Sequence, residues 1–216
     1  MRFETGQRTM TDRLAAVLIL ALLSFACAHV VPLAPSAPKP EDLVPIPLTV
    51  GVYYSPEFRE TVHVRVRMLN KWVTTIGEGS VDLFDQVFPM MFRQVVYIGS
   101  HPPLEGSGTE LAAIVVPRLE AFDVSWPAVA SIRYVYKARV SYRFSLYEAD
   151  GTPIASWVVT GFGKREAGMS DLTSGPIIRE AFEGAIENAA RKFLADFREL
   201  PEVRRWLYRS GVRDAN

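Results

Sequence analysis

The amino-acid sequence has one cysteine, three histidines and no excess of charge of either sign among its 216 residues. A single cysteine excludes an internal disulfide framework and any metal site built from several cysteines. Lys plus Arg and Asp plus Glu both number 24, so no basic surplus favours a nucleic-acid partner. The content of 49% apolar and 22% charged residues argues against wholesale disorder. A globular, charge-balanced protein is therefore predicted.

Recognised motifs of catalysis and cofactor binding are also missing. His29, His63 and His101 have no second ligand type at metal spacing, so we predict no metal and no cofactor. His63 is expected on the polar, solvated face of a strand. The run from Gly161 to Arg165 lacks the glycine spacing of a phosphate-binding or dinucleotide-binding loop, and no Gly-x-Ser-x-Gly motif occurs. We assign no catalytic residue and expect a protein that is not an enzyme.

The first 26 residues have the three zones of an export signal. Residues 1–13 contain three arginines and two carboxylates, a net charge of 3 − 2 = +1, and Met10 is an alternative start. Ten apolar residues without a charge follow over residues 14–23. This run is shorter than the roughly 20 residues that cross a bilayer as a helix. Proline-rich sequence follows soon after it, which is unlike a buried core helix. Residues 1–26 are therefore predicted to be a signal peptide.

The end of this signal, Leu23-Ser-Phe-Ala-Cys27, resembles the lipobox of bacterial lipoproteins. Ala26 and Cys27 match its two most demanding positions, whereas Ser24 and Phe25 depart from it. The resemblance implies that Cys27 is lipidated and anchors the chain to outer-membrane lipid, on the periplasmic side, because Ala28 stands where Asp would retain such a protein at the inner membrane. The alternative is cleavage behind Ala28 at an A-x-A site, which would release a soluble periplasmic protein.

Six prolines lie between residues 28 and 47 and predict an extended segment. At about 3.1 Å per residue it would reach roughly 60 Å. We expect residues 27–47 to form the lipidated cysteine and a proline-rich tether, residues 48–209 a single α+β domain, and residues 210–216 a disordered tail.

Periodicity predicts the elements of this domain. Apolar residues alternate over 61–67, with Val62, Val64 and Val66 on one face. Ser80, after the breaks at Gly77 and Gly79, is expected to cap a helix kinked at Pro89, with these residues on its buried face: Phe84, Val87, Phe88, Met91, Phe92 and Val95.

The strongest period-two pattern covers residues 132–146 and predicts an antiparallel strand with one wet face. Asp150-Gly151 predicts a hairpin turn, and 154–162 the returning strand. A helix starting near Pro176 carries an apolar stripe as far as Phe197, followed by a short amphipathic tail. The predicted fold class is α+β: a mostly antiparallel sheet, one kinked helix, and one long C-terminal helix packed on one face.

Four basic residues share the wet face of the long strand: Arg133, Lys137, Arg139 and Arg143. They form a candidate face for an acidic partner, for peptidoglycan or for lipid headgroups. The alternative is a solvated row neutralised by a neighbouring strand, which also discourages edge pairing.

The order of these elements resembles the YajG-type outer-membrane lipoproteins. The similarity is carried by the strand over 114–123, the long strand over 134–147, the turn at Asp150-Gly151 and the helix over 177–197. More distantly, the chain is similar to the periplasmic α+β domains of curli-secretion and TolB-like proteins. The export signal and the lack of catalytic motifs favour a non-catalytic adaptor or accessory subunit in envelope assembly, secretion or lipid transport, with an envelope protein as its partner. Alternatives are a module that holds a lipid or cell-wall fragment between sheet and helix, and a hydrolase.

Overall fold

The computed structural model describes residues 28–40, 43–67, 70–104, 110–125, 134–167 and 175–212. Cys27, Arg133 and the predicted signal over 1–26 lie outside these residues. The strands of the described chain are β1 (Ala28–Val31), β2 (Ile46–Val52), β3 (His63–Arg67), β4 (Asn70–Thr74), β5 (Phe92–Tyr97), β6 (Ala113–Ser125), β7 (Tyr134–Tyr147) and β8 (Pro153–Ala167). Its helices are α1 (Pro56–Arg59), α2 (Ile76–Met91), α3 (Gly175–Asp196) and α4 (Pro201–Arg209), with a 3-10 turn at Phe197–Glu199.

The main sheet has five strands in the order β5-β2-β6-β7-β8. β2 pairs in parallel with both β5 and β6, whereas β6, β7 and β8 form a long antiparallel meander. Most paired residues are therefore antiparallel, and the predicted α+β class is confirmed.

The alternation predicted along β7 is confirmed by burial. Side chains at every second position face the core, because a strand projects successive residues to opposite sides: Tyr136, Ala138, Val140, Tyr142, Phe144 and Leu146. Helix α3 packs across this face, and Phe193 lies 4.3 Å from Phe144 between ring centroids. Such aromatic burial contributes most of the favourable free energy of a core. The long C-terminal helix on one face is thus confirmed.

Close contact between α3 and β8 depends on two glycines. A Cβ at Gly163 would lie 1.9 Å from the carbonyl oxygen of Ala181, and a Cβ at Gly161 would lie 2.0 Å from that of Ala185. Only the absence of a side chain lets the helix backbone approach the strand this closely.

Helix α2 begins earlier than the glycines suggest. We expected Gly77 and Gly79 to break the chain and Ser80 to cap the helix, but α2 starts at Ile76 and includes all three. A Cβ at Gly77 would meet the carbonyl oxygens of α1 at 2.3 Å, so this glycine serves a close approach and not a turn. The Ser80 hydroxyl is buried and donates to the carbonyl of Ile76 at 2.6 Å. Pro89 lies inside the helix, as predicted. The helix ends at Met91, however, so Phe92 and Val95, which we expected on its buried face, belong to β5.

A second sheet has three strands in the order β1-β4-β3. The alternation predicted over residues 61–67 is present, but its valines do not face the core. Val62, Val64 and Val66 are exposed, whereas His63 is half-buried against the rings of Phe122 and Phe182. The register aligns Val30 with Val73 and Val73 with Val64. We call the exposed side of this sheet the valine face and define it by Val30, Val62, Val64, Val66 and Val73.

The proline-rich segment also differs from the expected free tether. Ala28 is already paired with Lys71 in β1, and Leu33 is buried in the main core. The N–H groups of Ala34 and Ser36 donate to the carboxylates of Glu183 and Glu187 at 2.9 and 3.0 Å. These side-chain acceptors on α3 replace the sheet partners that a proline-rich chain lacks, so residues 28–40 pack on the domain.

The predicted amphipathic tail is confirmed as α4. Val203, Trp206 and Leu207 are buried, and the indole of Trp206 donates to the carbonyl of Ala112 at 3.3 Å. In the described part of the chain, no helix combines the length and apolarity needed to cross a membrane.

Candidate functional site

The side of the main sheet opposite α3 presents the basic residues singled out from the sequence. Lys137, Arg139 and Arg143 alternate with the buried residues of β7, so all three side chains emerge on this side. We call it the outer face and define it by Lys137, Arg139 and Arg143 of β7, Arg118 and Asp123 of β6, and Val158 and Phe162 of β8. Arg133 lies outside the described residues, so its place on this face stays a prediction.

Charges on the outer face are partly neutralised by neighbouring strands. Arg143 forms an ion pair with Glu120 of β6, and Arg139 stands opposite Asp123 in the register. Lys137 stands opposite Lys164, whose ammonium lies 2.7 Å from the Glu166 carboxylate. Exposed pairs of this kind contribute little to stability. The face is therefore a mixed ionic surface in which the cations of Lys137 and Arg139 are the exposed ones of β7.

Two large apolar side chains lie among these charges. Val158 and Phe162 are 45% and 59% exposed, and they stand beside Arg143 and Arg139 in the register. The sequence pattern predicted the strand but did not indicate that these two residues are exposed. The signal that could have found them is the alternation of β8, since Gly161 and Gly163 face the helix and leave Phe162 on the opposite side. Apolar side chains ringed by charge are typical of protein-binding surfaces.

Helix α3 satisfies backbone groups along the edge of the sheet at β8. The N–H of Phe162 donates to the side-chain carbonyl of Asn188 at 3.1 Å, and the ammonium of Lys192 donates to the carbonyl of Thr160 at 2.6 Å. The same ammonium lies 5.2 Å from the centroid of the Phe162 ring. A further strand could not add at these two positions without displacing both side chains. This favours contact through the face of the sheet.

A separate apolar layer covers the other end of the same side. Leu111, Ile114 and Val116 form a small core there, and the ring of His101 contacts both Tyr53 and Tyr147. The exposed part of the outer face is thus restricted to the half of the meander that contains Arg139 and Phe162.

Three tyrosines of the described chain have raised pKa values, and burial is the largest cause of each shift. The hydroxyl of Tyr54 donates to Asp85 at 2.8 Å, and burial together with that carboxylate raises the pKa of Tyr54. Burial and the same Asp85 raise the pKa of Tyr97 to about 12. Burial raises the pKa of Tyr142, which shares a 2.6 Å hydrogen bond with Ser80. Phenols held this way stay protonated at neutral pH, and their hydrogen bonds to Asp85 and Ser80 connect the segment after β2, β5 and β7 to α2.

His63 lies in a different environment from the one predicted for it. Its ring is packed against two phenylalanines, and its Nε2 atom is buried without a hydrogen-bond partner in the described structure. Burial, followed by the charge of Arg65, lowers the pKa of His63 below its usual value. The expected solvated imidazole is therefore wrong, and the ring joins the small sheet to the main core. Within the described ranges, no cluster of three His, Cys, Asp or Glu side chains could hold a metal ion.

A second surface feature lies between the start of β8 and α4. It is an open groove of about 650 Å³ lined by Pro153, Ile154, Glu202, Arg204, Arg205, Tyr208 and Arg209. Its arginines face carboxylates: Arg204 contacts Glu199, Arg205 lies 3.6 Å from Glu202, and Arg209 lies 3.7 Å from Glu148. The groove therefore offers less unneutralised charge than its composition suggests.

The space between sheet and helix, where a bound lipid was the alternative prediction, is filled at the residues named for it. Tyr136, Tyr142 and Phe182 are buried in the main core cluster, and the side chain of Tyr134 lies outside the described residues. Since Tyr142 and Phe182 have no exposed surface, a ligand there would have to displace packed side chains.

No protein-family model and no curated protein sequence matches the chain. Among solved structures, it is similar to a Xanthomonas campestris protein of the DUF330 family, with 14% identity, 78% of this chain and 93% of the other covered, and a TM-score of 0.48. It is also similar to a protein from Caulobacter crescentus described as a candidate lipoprotein, with 14% identity, 65% and 87% coverage, and a TM-score of 0.41.

A minor lipoprotein from Acinetobacter baumannii is similar at 9% identity, with 71% of this chain and 91% of the other covered and a TM-score of 0.40. At these identities and scores the likeness identifies no family for the chain. None of these three is described as a YajG-type protein, so that resemblance stays a prediction.

Proposed function

We propose that this protein is an outer-membrane lipoprotein, anchored through Cys27, that acts as a non-catalytic adaptor by binding an envelope protein through its outer face. The export signal and the lipobox-like end at Ala26-Cys27 support the anchor. The membrane anchor and the partner-binding surface are separate parts of the proposal, and each can be refuted without the other.

The observation that carries the partner part is the exposed pair of Phe162 and Arg139, which lie side by side in the register of β7 and β8. An aromatic ring beside a guanidinium is a combination enriched at the centres of protein interfaces. The other basic side chain there, Lys137, favours a partner with carboxylates at the rim. The partner of this chemistry is an envelope protein with an apolar pocket bordered by acidic side chains.

A membrane anchor would suit this surface. Two or more acyl chains give stable attachment, whereas one chain gives only marginal binding. A domain held in this way meets partners in the same membrane at high effective concentration, so a modest interface is sufficient for an adaptor.

Mass measurement of the mature amino terminus tests the anchor. We expect a diacylglyceryl adduct on Cys27 in the wild type and its loss in Cys27→Ser. A plain terminus at His29 would show that the chain is released after Ala28 and would refute the anchor.

Photo-crosslinking in cells tests the partner surface. A benzophenone amino acid at Arg139 should capture one envelope protein, and Phe162→Ser in the same chain should abolish that adduct. The matched control places the benzophenone at Arg191, which is exposed on α3 at the opposite side of the domain. An identical set of adducts from both positions, or none from Arg139, would refute the adaptor face.

A further inference from the structure

The valine face contains four of the large apolar side chains that are exposed in the described structure. Val30 and Val66 are 61% and 67% exposed, and Val62 and Val64 are also exposed. In an ordinary half-buried sheet such side chains face the core, because burying them is favourable. Here the opposite side of the small sheet faces inward, through His63 and Trp72. A contiguous apolar surface of this kind marks a binding site for protein or membrane.

The position of this sheet in the chain indicates which of the two it meets. Cys27 immediately precedes Ala28, the first residue of β1, and Ala28 is already paired with Lys71 of β4. No slack chain therefore separates the anchoring residue from the folded sheet. Three residues of extended chain cover about 10 Å, so Val30 lies within that distance of Cys27. Lipid chains on Cys27 would hold the small sheet at the membrane surface.

The dimensions of the bilayer favour this contact for an anchored chain. The polar layer on each side of the hydrocarbon core is about 5–8 Å thick, and the glycerol linkage of a lipidated cysteine lies at its inner boundary. A sheet that starts one residue later begins at or next to this layer. Apolar side chains at this depth gain from burial at the boundary between headgroups and acyl chains, as amphipathic segments do.

The charge on the valine face suits a phospholipid surface. Lys71 is exposed and, in the register, stands between Ala28 and Val66 on this side of the sheet. A lysine among apolar side chains buries its stem and extends its ammonium to phosphate groups. A cation surrounded by apolar side chains is the arrangement found on membrane-surface elements.

From this juxtaposition we propose that the valine face lies on the phospholipid surface of the membrane, with Lys71 at the level of the headgroup phosphates. The proposal rests on lipidation of Cys27 and adds a defined orientation to it. The small sheet faces the lipid, and the outer face of the main sheet remains available for a partner. The small sheet is thus a membrane-contacting platform and not part of the adaptor face.

The test uses the full chain, purified with its anchor and reconstituted in vesicles of phosphatidylethanolamine and phosphatidylglycerol. A benzophenone amino acid is placed at Val64 or, in a second chain, at Val30, and adducts are identified by mass. The matched control is Val158, a valine of the main sheet that is 45% exposed against 46% for Val64. We expect phospholipid adducts from Val64 and Val30 and none from Val158.

A second variant separates orientation from attachment. Replacing Val62, Val64 and Val66 by Thr keeps β-branched side chains and hence the strand, but removes most of the apolar surface of β3. We expect this chain to remain attached to vesicles through Cys27, while the phospholipid adduct from Val30 decreases roughly tenfold. An unchanged adduct would overturn the proposal.

The outcomes distinguish this proposal from the anchor on which it rests. A lipid adduct on Cys27 together with no phospholipid adduct from Val64 would overturn the orientation and leave the anchor intact. Capture of a second copy of the chain by Val64 would overturn it as well, since the valine face would then be a dimer interface. Absence of lipid on Cys27, measured on the same sample, would refute the anchor itself.

Discussion

At the scale of single residues, what a side chain does here depends on which backbone approaches it. Gly163 and Gly99 are indistinguishable by residue type, yet a Cβ at Gly163 would strike the backbone of α3, whereas a Cβ at Gly99 would meet nothing within 4 Å. His63 and the valines on either side of it show the same dependence, because the small sheet turns His63 inward and the valines outward.

Replacing Gly163 by Ala should therefore destabilise the protein. The new methyl group would force α3 away from β8, and overpacking of this kind costs about 1–3 kcal/mol. Urea denaturation should show this loss for Gly163→Ala and a change within about 0.5 kcal/mol for the control Gly99→Ala. Equal stability of the two variants would mean that α3 does not pack on β8 at this position.

His63 should make the protein sensitive to mild acid. Burial lowers the pKa of His63 in the folded state, so below pH ~6.5 the unfolded chain binds a proton more readily than the folded one. The free energy of unfolding should accordingly decrease as the pH falls through this range. The decrease should be smaller for His63→Gln, which has no imidazole to protonate. Urea denaturation at about pH 8 and about pH 5 measures the difference. Parallel losses in wild type and variant would contradict the buried environment of the ring.

At the scale of elements, the prolines of residues 28–40 predict an extended backbone but not what surrounds it. Proline favours extended chain, and extended chain can be a free spacer or can lie in a groove. Here Leu33 is buried beside Gly79, whose Cβ would lie 2.6 Å from that of Leu33. The glycine in α2 and the leucine in the proline-rich segment form one contact.

Truncation of Leu33 tests this packing. Because its side chain is buried, Leu33→Ala should decrease the free energy of unfolding by about 2–4 kcal/mol. Val44→Ala, at a position 60% exposed, is the control and should change it by less than about 0.5 kcal/mol. If Leu33→Ala were as stable as the control, residues 28–40 would be a spacer after all.

The prediction of the elements succeeded where the local pattern and the tertiary environment agree. The alternation along β7 predicts a strand with one wet face, and the sheet satisfies it because α3 covers only the apolar side. The predicted start of α2 was wrong, because glycine disfavours a helix locally but is required at Gly77 by the close contact with α1. The alternation along β7 predicted that Lys137, Arg139 and Arg143 of the candidate site share one face. It did not predict Phe162, because the pairing of β8 with β7 in the sheet is what places Phe162 beside them.

At the scale of the whole molecule, the two sheets differ in how much of their surface is covered. β7 has a paired strand on each side and a helix on one face, whereas the small sheet has three short strands and an exposed valine face. Backbone hydrogen bonds that lie near solvent open with lower free energy than those of a core strand.

Amide hydrogen exchange should therefore be faster in the small sheet than in the main sheet. Amides of β3 and β4 should exchange well before those of β7 and β8 in the unanchored chain in solution. Reconstitution into vesicles should protect β3 and β4 if the valine face contacts lipid, and should leave β7 unchanged. Mass spectrometry of peptic fragments measures both. Equal protection of the two sheets in solution would contradict the conclusion that the small sheet is less buried than the main sheet.

Local sequence by itself determined the predicted signal and its cysteine, the long meander, the C-terminal helix and the mixed α+β class, because each depends on a periodicity or spacing that the chain carries within a few residues. Only the tertiary structure decided which side of an alternating strand is inside, whether the proline-rich segment is free or packed, and which exposed residues become neighbours. Those outcomes depend on contacts between residues far apart in the chain, as between Leu33 and Gly79, and a local pattern contains no information about such contacts.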